Sequence, residues 1–426
     1  MPKVGIISVD GHVKASRATY RDYIQRAHLD TYDERVRGME AAGLPDAGNM
    51  KPGVGAAVQW DSTLRMDNLE SIGVVAEVLF PNGVPFQENP FDDFARNADP
   101  ALRAEGRRAY NRWLVDFCAE MPERRKGMMT MDFSDIDAAV ADVHWAKERG
   151  LGGISLPGIN PGDRFFFDPD LDPIWAAIDE VGLPVTQHGG AGLPAYKPPG
   201  FAMIMMLVAE QSFFANRSMW MLIAGGVFDR FPGLRVSYIE TQIPIIGTVI
   251  EQLDKVLDPT NDWMGFAKMM GRARMFERQP SEYFGTNIFV GVSPFTPRQV
   301  PLNDLIGKDA DSNPLPGFHI GVDAAMYGVD YPHFESSFSR NMGEVATLLT
   351  TPGVTEDDAC KIMLTNAVKA LDFDLVALQP HIDRVGFDTA DVIARADEIL
   401  ADLPDYDTPF KNDDSFLSKM AKNGAR

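Results

Sequence analysis

The stretch KVGIISVDGH, residues 3–12, is an apolar run that ends in two side chains able to bind a metal ion, Asp10 and His12. Short apolar runs bounded by turn residues are typical of buried strands. Side chains on a strand alternate between its two faces, so Asp10 and His12 are predicted to point the same way. Taken alone, an Asp-x-His pair is a weak sign of a ligand site.

Two later runs end in the same kind of residue. LPVTQHGG (183–190) contains His188, and MYGVDYPH (326–333) contains Asp330. Each residue has an ordinary alternative role. A lone histidine at the position of His188 is more often a core or cap residue than a ligand. Asp330 alone is consistent with a cap for the helix that follows. The joint pattern of two carboxylates and two imidazoles at strand ends is more specific than any one of its members.

The strand-like runs alternate with helix-like runs, which predicts βα units and a parallel sheet. Eight runs are found, which is the number of strands in a closed (β/α)8 barrel. The fold class is therefore predicted as α/β, a TIM-like barrel. The predicted strands are 3–10, 73–81, 126–131, 152–157, 183–188, 235–240, 287–293 and 326–331.

The barrel is predicted to occupy residues 1–375. Two long insertions follow strands one and five, at 11–72 and 189–234, on the face that holds the active site in such barrels. We expect them to contribute a lid. A C-terminal extension, 376–426, is expected to be partly helical.

Composition narrows the class of protein. The chain has 426 residues, of which 45% are hydrophobic, and its net charge is -21. Nucleic-acid binding needs clustered basic residues, so the charge argues against that partner. Apolar runs shorter than about 18 residues and the absence of a signal-peptide pattern argue against a membrane or secreted protein. The two cysteines have no metal-binding spacing, and a cytoplasmic location is expected.

The three ligand-bearing segments are predicted to converge. Strands one and eight adjoin in a closed barrel, strand five lies across from them, and all carboxyl ends face one rim. Two buried carboxylates at that rim are costly without a cation, and a divalent ion removes the cost. We therefore predict one divalent metal ion held by four residues, namely Asp10, His12, His188 and Asp330.

A resemblance to a known family covers most of the chain. The segments DGHV, LRMDNLESIGVVAEVLFPNG, YNRWLVDFCAEMPERRKG, GGISLPG, DPDLDPIWAAIDEVGLPVTQHGG, VFDRFPGLRVSYIETQIPIIGTVIEQLD and YGVDYPHFESSF carry it. In their order and spacing they resemble the amidohydrolase-2 group of the amidohydrolase superfamily. That group includes aminocarboxymuconate-semialdehyde decarboxylase and related aromatic acid decarboxylases. The resemblance implies a metal-dependent enzyme with the same four ligands.

Two departures from the group affect the expected chemistry. The decarboxylases begin with His-x-His or a Glu-containing motif, whereas this chain has Asp10 first. A carboxylate there makes the site richer in oxygen and admits Mn²⁺ or Fe²⁺ beside Zn²⁺, the ion we expect first. The decarboxylases also carry a histidine near the segment IAGGVFDRFP, which here contains Ala224, Gly225 and Gly226 but no histidine.

Two reactions follow from such a site. The first expectation is hydrolysis of a small, partly aromatic substrate bearing a carboxylate or carbonyl, by metal-activated water with Asp330 as proton shuttle. The alternative is a non-oxidative decarboxylase, in which Glu240 or His333 substitutes for the missing histidine. A barrel that has lost activity is the third possibility considered.

The remaining site predictions concern three side chains. His333 is interpreted as a contact to the site or the substrate, with helix capping as its alternative. Glu240 either points into the barrel mouth or pairs with an arginine below. Arg65 offers a fork for a substrate carboxylate, and a surface salt bridge is as consistent with its position. The Met- and Phe-rich segment after strand five either lines a substrate cleft or forms a helix in the core or at a subunit interface. A homodimer or higher oligomer is expected.

Overall fold

Nine parallel strands form the centre of the fold in the computed structural model, which describes residues 3–46, 55–86, 99–157, 164–189, 201–258, 260, 278–295 and 301–403. They are β1 (Ile6–Ser8), β2 (His12–Val13), β3 (Val74–Pro81), β4 (Arg125–Thr130), β5 (Gly153–Ser155), β6 (Val185–His188), β7 (Val236–Ile239), β8 (Ile288–Val292) and β9 (Ala325–Tyr327). Their order in the sheet is β1-β3-β4-β5-β6-β7-β8-β9, and β2 pairs with the end of β3.

The sheet closes on itself between its first and last strands. The N–H of Val9 donates to the carbonyl of Tyr327 at 2.9 Å, and that of His12 donates to Tyr331 at 2.8 Å. The predicted TIM-like barrel of eight parallel strands is thereby confirmed. The run predicted at 3–10 differs in detail, because its strand ends at Ser8 and pairing resumes only at His12.

Helices surround the barrel. Their bounds are Arg17–Tyr20, Leu29–Ala41, Ser62–Glu70, Pro100–Ala119, Ile136–Glu148, Asp172–Val181, Phe201–Ala215, Arg217–Ala224, Val227–Arg230, Pro244–Leu257, Leu302–Ile306, Asn341–Thr350, Glu356–Cys360, Asn366–Leu371, Leu375–Val385, Thr389–Ala394 and Ala396–Ala401. A π-helical segment, Lys361–Thr365, joins two of them. Among the described helices, none has the length and apolar character needed to cross a bilayer.

The core has two layers because strand side chains alternate. Ile6 packs outward among the helices, whereas Ile7 points into the barrel interior. At the N-terminal ends of the strands, Leu378 and Ile382 of the helix Leu375–Val385 also pack into the interior. This helix packs beside the start of the first strand. The N–H of Phe387, two residues after the helix, donates a hydrogen bond to the carbonyl of Val4. The N-terminal end of the barrel is therefore closed, and the opposite rim is left for function.

Both predicted insertions leave the carboxyl ends of strands. The first contains three of the helices, within 17–70, and the second contains three more, within 201–230. Their role as a lid and the division of the chain at residue 375 stay predictions. The end of the C-terminal extension, 404–426, lies outside the described residues.

Candidate metal centre

The four residues predicted as metal ligands lie together at one rim of the barrel. Nε2 of His12 is 3.2 Å from Oδ1 of Asp10 and 3.4 Å from Oδ1 of Asp330. Nε2 of His188 is 3.3 Å from the same oxygen of Asp10. All four side chains are buried. The structure thus places within one small volume side chains that are as far apart as residues 10 and 330 in the chain.

Each of these side chains lies at the end of a strand or within three residues of one. Asp10 and His12 flank the break between β1 and β2, and His188 is the last residue of β6. Asp330 follows β9 by three residues and has a φ of 60°, a backbone conformation that non-glycine residues rarely adopt. Its N–H donates to the carbonyl of Asp10 at 3.1 Å. The two carboxylate-bearing segments are therefore joined directly through the main chain.

Several buried polar atoms of this cluster make no hydrogen bond within the described part of the chain. They are Oδ2 of Asp10, both carboxylate oxygens of Asp330, and Nε2 of His12. Burying such atoms without partners is costly, and a cation bound between them removes the cost. A set of two carboxylates and two imidazoles suits a divalent transition-metal ion. The donors present therefore fit the predicted ion.

The two imidazoles are oriented as metal ligands usually are. Nδ1 of His188 lies 3.0 Å from the carbonyl of Gly189, and Nδ1 of His12 lies 3.5 Å from that of Pro81. A ring that donates from Nδ1 to a carbonyl leaves the lone pair of Nε2 free to bind a metal. In both rings, Nε2 is the nitrogen that faces Asp10.

The electrostatics of the cluster also favour a positive ion. Burial lowers the pKa of His12, but the adjacent carboxylates of Asp10 and Asp330 outweigh burial and raise this pKa to about 10. Burial raises the pKa of Asp10, but the charge of His188 and the contacts with His12 hold it well below its ordinary value. The carboxylate of Asp10 thus stays ionised and attracts positive charge. A divalent cation supplies that charge in place of the protons.

His333 lies against the cluster, as the sequence predicts for a residue that contacts the site. Its ring stacks on His12, with centroids 3.8 Å apart, and its Nδ1 lies 2.9 Å from Oδ1 of Asp330. Nε2 is 3.2 Å from Oδ1 of Asn82, a residue that the sequence analysis missed. Burial and the charge of His12 lower the pKa of His333.

Glu240 points toward the same rim rather than down to an arginine. Its Oε2 lies 3.7 Å from Nδ1 of His188, and its φ is 57°. Carboxylate oxygens of Glu240, Asp330 and Glu335 lie within 4.8 Å of one another. Burial and the charges of Asp330 and Asp10 raise the pKa of Glu240 well above its ordinary value. Burial and Asp330 likewise raise the pKa of Glu335 to about 7, and the sequence analysis missed this residue.

Arg65 does not face the rim. Its side chain is fully buried, and it forms a forked pair with Glu77, with Nε–Oε1 at 2.9 Å and Nη2–Oε2 at 2.7 Å. Its remaining hydrogen bonds go to the carbonyls of Val58, His12 and Tyr331. Because all five N–H groups are engaged, Arg65 is not retained as a candidate to bind a substrate carboxylate.

The chain matches a known family over most of its length. Residues 92–373 match the sequence profile of the family described as Amidohydrolase. A curated relative, the gamma-resorcylate decarboxylase of Rhodococcus jostii (strain RHA1), is 24% identical over 362 residues. That alignment covers 78% of this chain and 96% of the relative.

Two solved structures are similar in fold. The 5-carboxyvanillate decarboxylase of Sphingomonas paucimobilis has a TM-score of 0.56 at 18% identity, covering 87% of this chain and 100% of that one. A dihydroxybenzoic acid decarboxylase from Polaromonas sp. JS666, solved with bound manganese and the inhibitor 2-nitroresorcinol, has a TM-score of 0.54 at 15% identity. It covers 87% of this chain and 97% of that one. At these identities, the likeness concerns the fold.

Proposed function

The chain belongs to the amidohydrolase family, and on that premise we propose that it is a metal-dependent carboxy-lyase that removes a carboxylate from a small aromatic acid. The observation that carries the proposal is the buried cluster of Asp10, His12, His188 and Asp330, with its unpartnered carboxylate oxygens. The curated relative, a decarboxylase matched over 96% of its length, supports this reaction over hydrolysis, the first expectation from the sequence.

The four clustered residues would hold the metal ion. When bound, the ion supplies a Lewis acid that polarises oxygen atoms of the substrate. Two carboxylates among the four ligands favour a hard ion, so we propose Mn²⁺ ahead of the Zn²⁺ expected from the sequence. The manganese bound in the Polaromonas decarboxylase supports this choice.

The residues beside the ligands would move the proton. In a decarboxylation, the ring carbon gains a proton, the bond to the carboxyl carbon breaks, its electron pair stays on the ring, and carbon dioxide leaves. Three carboxyl groups as close as Glu240, Asp330 and Glu335 disfavour one another's ionised forms, so one of them holds a proton. We assign that proton to Glu240, which faces the carboxyl groups of Asp330 and Glu335 across the site.

Hydrolysis is the second candidate. The carboxylate of Asp330 can accept a proton from water at the same rim, and IAGGVFDRFP has no histidine of the kind that the decarboxylases carry. These two observations keep the hydrolase in the test.

The test is an assay with Mn²⁺-loaded protein in ¹⁸O-labelled water. Gamma-resorcylate and 5-carboxyvanillate are the substrates for decarboxylation, and the methyl esters and amides of the same acids are the substrates for hydrolysis. We expect carbon dioxide in equal amount to an aromatic product that contains no solvent oxygen. An organic product with ¹⁸O and no carbon dioxide would establish hydrolysis instead. The Asp10→Asn variant is the matched control, because it removes one proposed ligand and should abolish either reaction. Metal-loaded protein that turns over neither these nor other hydroxylated aromatic acids would overturn the proposal.

A further inference from the structure

We propose that Arg65, oriented by Glu77, is a positioning residue for the metal site, because its guanidinium holds the main chain of the two segments that carry three of the ligands. Nη1 donates to the carbonyl of His12 at 3.1 Å, and Nη2 donates to the carbonyl of Tyr331 at 3.3 Å. Tyr331 directly follows the ligand Asp330. The inference concerns the metal site and does not depend on which reaction the site catalyses.

The guanidinium reinforces a connection that the main chain already makes. The carbonyl of Tyr331 accepts a second hydrogen bond from the N–H of His12 at 2.8 Å. The helix Ser62–Glu70, which bears Arg65, also grips Tyr331 at its far end, where Nδ2 of Asn68 donates to the phenol oxygen at 2.8 Å. The helix Ser62–Glu70 therefore fixes the position of the segment that carries Asp10 and His12 relative to the segment that carries Asp330.

Glu77 holds the guanidinium in a single orientation. It lies on β3, between the two segments and Arg125, and is almost completely buried. Its forked pairing leaves Nη1 and one N–H of Nη2 to point at the carbonyls. Lysine would not reproduce this arrangement, because an ammonium group is a point charge without the planar fork.

Gly11 explains how close the guanidinium comes to the ligands. A Cβ at Gly11 would lie 2.9 Å from Nη2 of Arg65, 3.1 Å from Oε2 of Glu77 and 3.2 Å from the carbonyl oxygen of Val78. The residue between the ligands Asp10 and His12 is thus in direct contact with the ion pair. A movement of the pair is transmitted to both ligands without an intervening side chain.

A buried ion pair can contribute to folding stability alone. The test therefore needs a measured quantity, the Mn²⁺ affinity, that a change in stability by itself does not alter. Outer residues that orient metal ligands typically change metal affinity by about 10–100-fold when they are replaced. We expect Arg65→Lys to weaken Mn²⁺ binding to the metal-stripped protein by a factor of about 10–100, measured by isothermal titration calorimetry without substrate. The thermal midpoint of the metal-free variant is measured in parallel.

Arg124→Lys is the matched control. Arg124 is also a buried arginine with a carboxylate partner, Glu70, and a main-chain partner, the carbonyl of Val75. Those contacts lie away from the ligand segments. We expect Arg124→Lys to lower the thermal midpoint and to leave the Mn²⁺ affinity unchanged.

The inference is overturned if Arg65→Lys folds and binds Mn²⁺ as tightly as the wild type, or if Arg124→Lys weakens Mn²⁺ binding as much. Should Arg65→Lys fail to fold, Glu77→Gln takes its place, because it keeps the volume and loosens the fork. Weaker Mn²⁺ binding by folded Glu77→Gln supports the inference, and wild-type affinity overturns it. Because no substrate is present, a failure of the proposed carboxy-lyase reaction would not affect this result.

Discussion

The imidazole rings of His12 and His333 stack face to face, with centroids 3.8 Å apart and planes inclined by 21°. The two rings have different surroundings. Nε2 of His12 faces both Asp10 and Asp330, whereas Nε2 of His333 turns away toward Asn82. The two stacked rings are therefore expected to have different roles. His12 is a proposed metal ligand, whereas His333 contacts Asp330 beside the proposed proton donor.

Replacing His333 with Gln is expected to reduce turnover far more than metal binding. We expect kcat to fall by about 100-fold or more, the usual contribution of a positioned acid or base, because Asp330 loses the ring that lies beside its carboxylate. Mn²⁺ affinity should fall less than in Asp10→Asn, because His333 contacts the proposed ligand Asp330 without belonging to the proposed ligand set. His381→Gln, at a surface histidine paired with Glu123, serves as the control. If His333→Gln binds Mn²⁺ as poorly as Asp10→Asn, His333 is itself a ligand.

Metal removal is expected to lower stability because the two buried carboxylates lose their counter-charge. A ligand that binds only the folded protein stabilises it by about 2.7 kcal/mol at a free concentration one hundred times its Kd. Titrating Mn²⁺ into the stripped protein should therefore raise the thermal midpoint steadily. Asp330→Asn should lose most of this increase. An equal increase in the variant would place the ion somewhere else in the protein.

Glu240→Gln tests the proposed source of the proton. The amide keeps the shape of the side chain but has no acidic proton, so kcat should fall by about 100-fold or more while Mn²⁺ still binds. Glu335→Gln changes a more exposed carboxyl of the same group and should have the smaller effect. Wild-type turnover by Glu240→Gln would remove Glu240 from the mechanism.

Acid should weaken the attachment of the C-terminal helix Leu375–Val385. Hydrogen bonds from Arg384 and then Arg124 lower the pKa of Glu70 from 4.5 to about 2. Since the folded-state pKa is the lower one, the ionised carboxylate stabilises the fold fully above pH 4.5, and this contribution is lost as the pH falls toward 2.

Glu70→Gln provides the measurement. Wild type and variant are unfolded in urea at a series of pH values, and the difference in their free energies of unfolding should shrink between pH 4.5 and 2. The same pair of proteins with Arg384→Gln added to both is the control, and the variation with pH should be smaller there because the first partner of Glu70 is gone. A constant difference for Glu70→Gln would mean that the ion pairs contribute nothing.

The barrel and the clustering of the four proposed ligands could be predicted from the sequence because both depend on local patterns. Apolar runs such as the one before Asp10 mark strands, and parallel strands bring their carboxyl ends to one rim. The predicted strand ends carrying His188 and Asp330 therefore had to meet. Each of the eight predicted runs overlaps a strand, although the first strand ends at Ser8 rather than at residue 10 and the last ends at Tyr327 rather than at residue 331.

The role of Arg65 could not be predicted, because an arginine's partners depend on tertiary contacts. The sequence shows a fork of donors, but Glu77 and three main-chain carbonyls bind these donors only once the barrel has closed. Asn82 and Glu335 were missed for a related reason. Asn82 directly follows β3, and Glu335 lies in the loop after β9. The conformation of each loop, which no apolar pattern predicts, directs these side chains toward the cluster.

The seam between β1 and β9 is made of main-chain bonds from Val9, His12 and Asp330, which also set the positions of three proposed ligands. A chain whose barrel has not closed therefore lacks the complete set of four metal ligands. The metal content of a purified sample would then report the fraction of correctly folded molecules. Misfolded copies would have no activity in the decarboxylation assay, rather than partial activity.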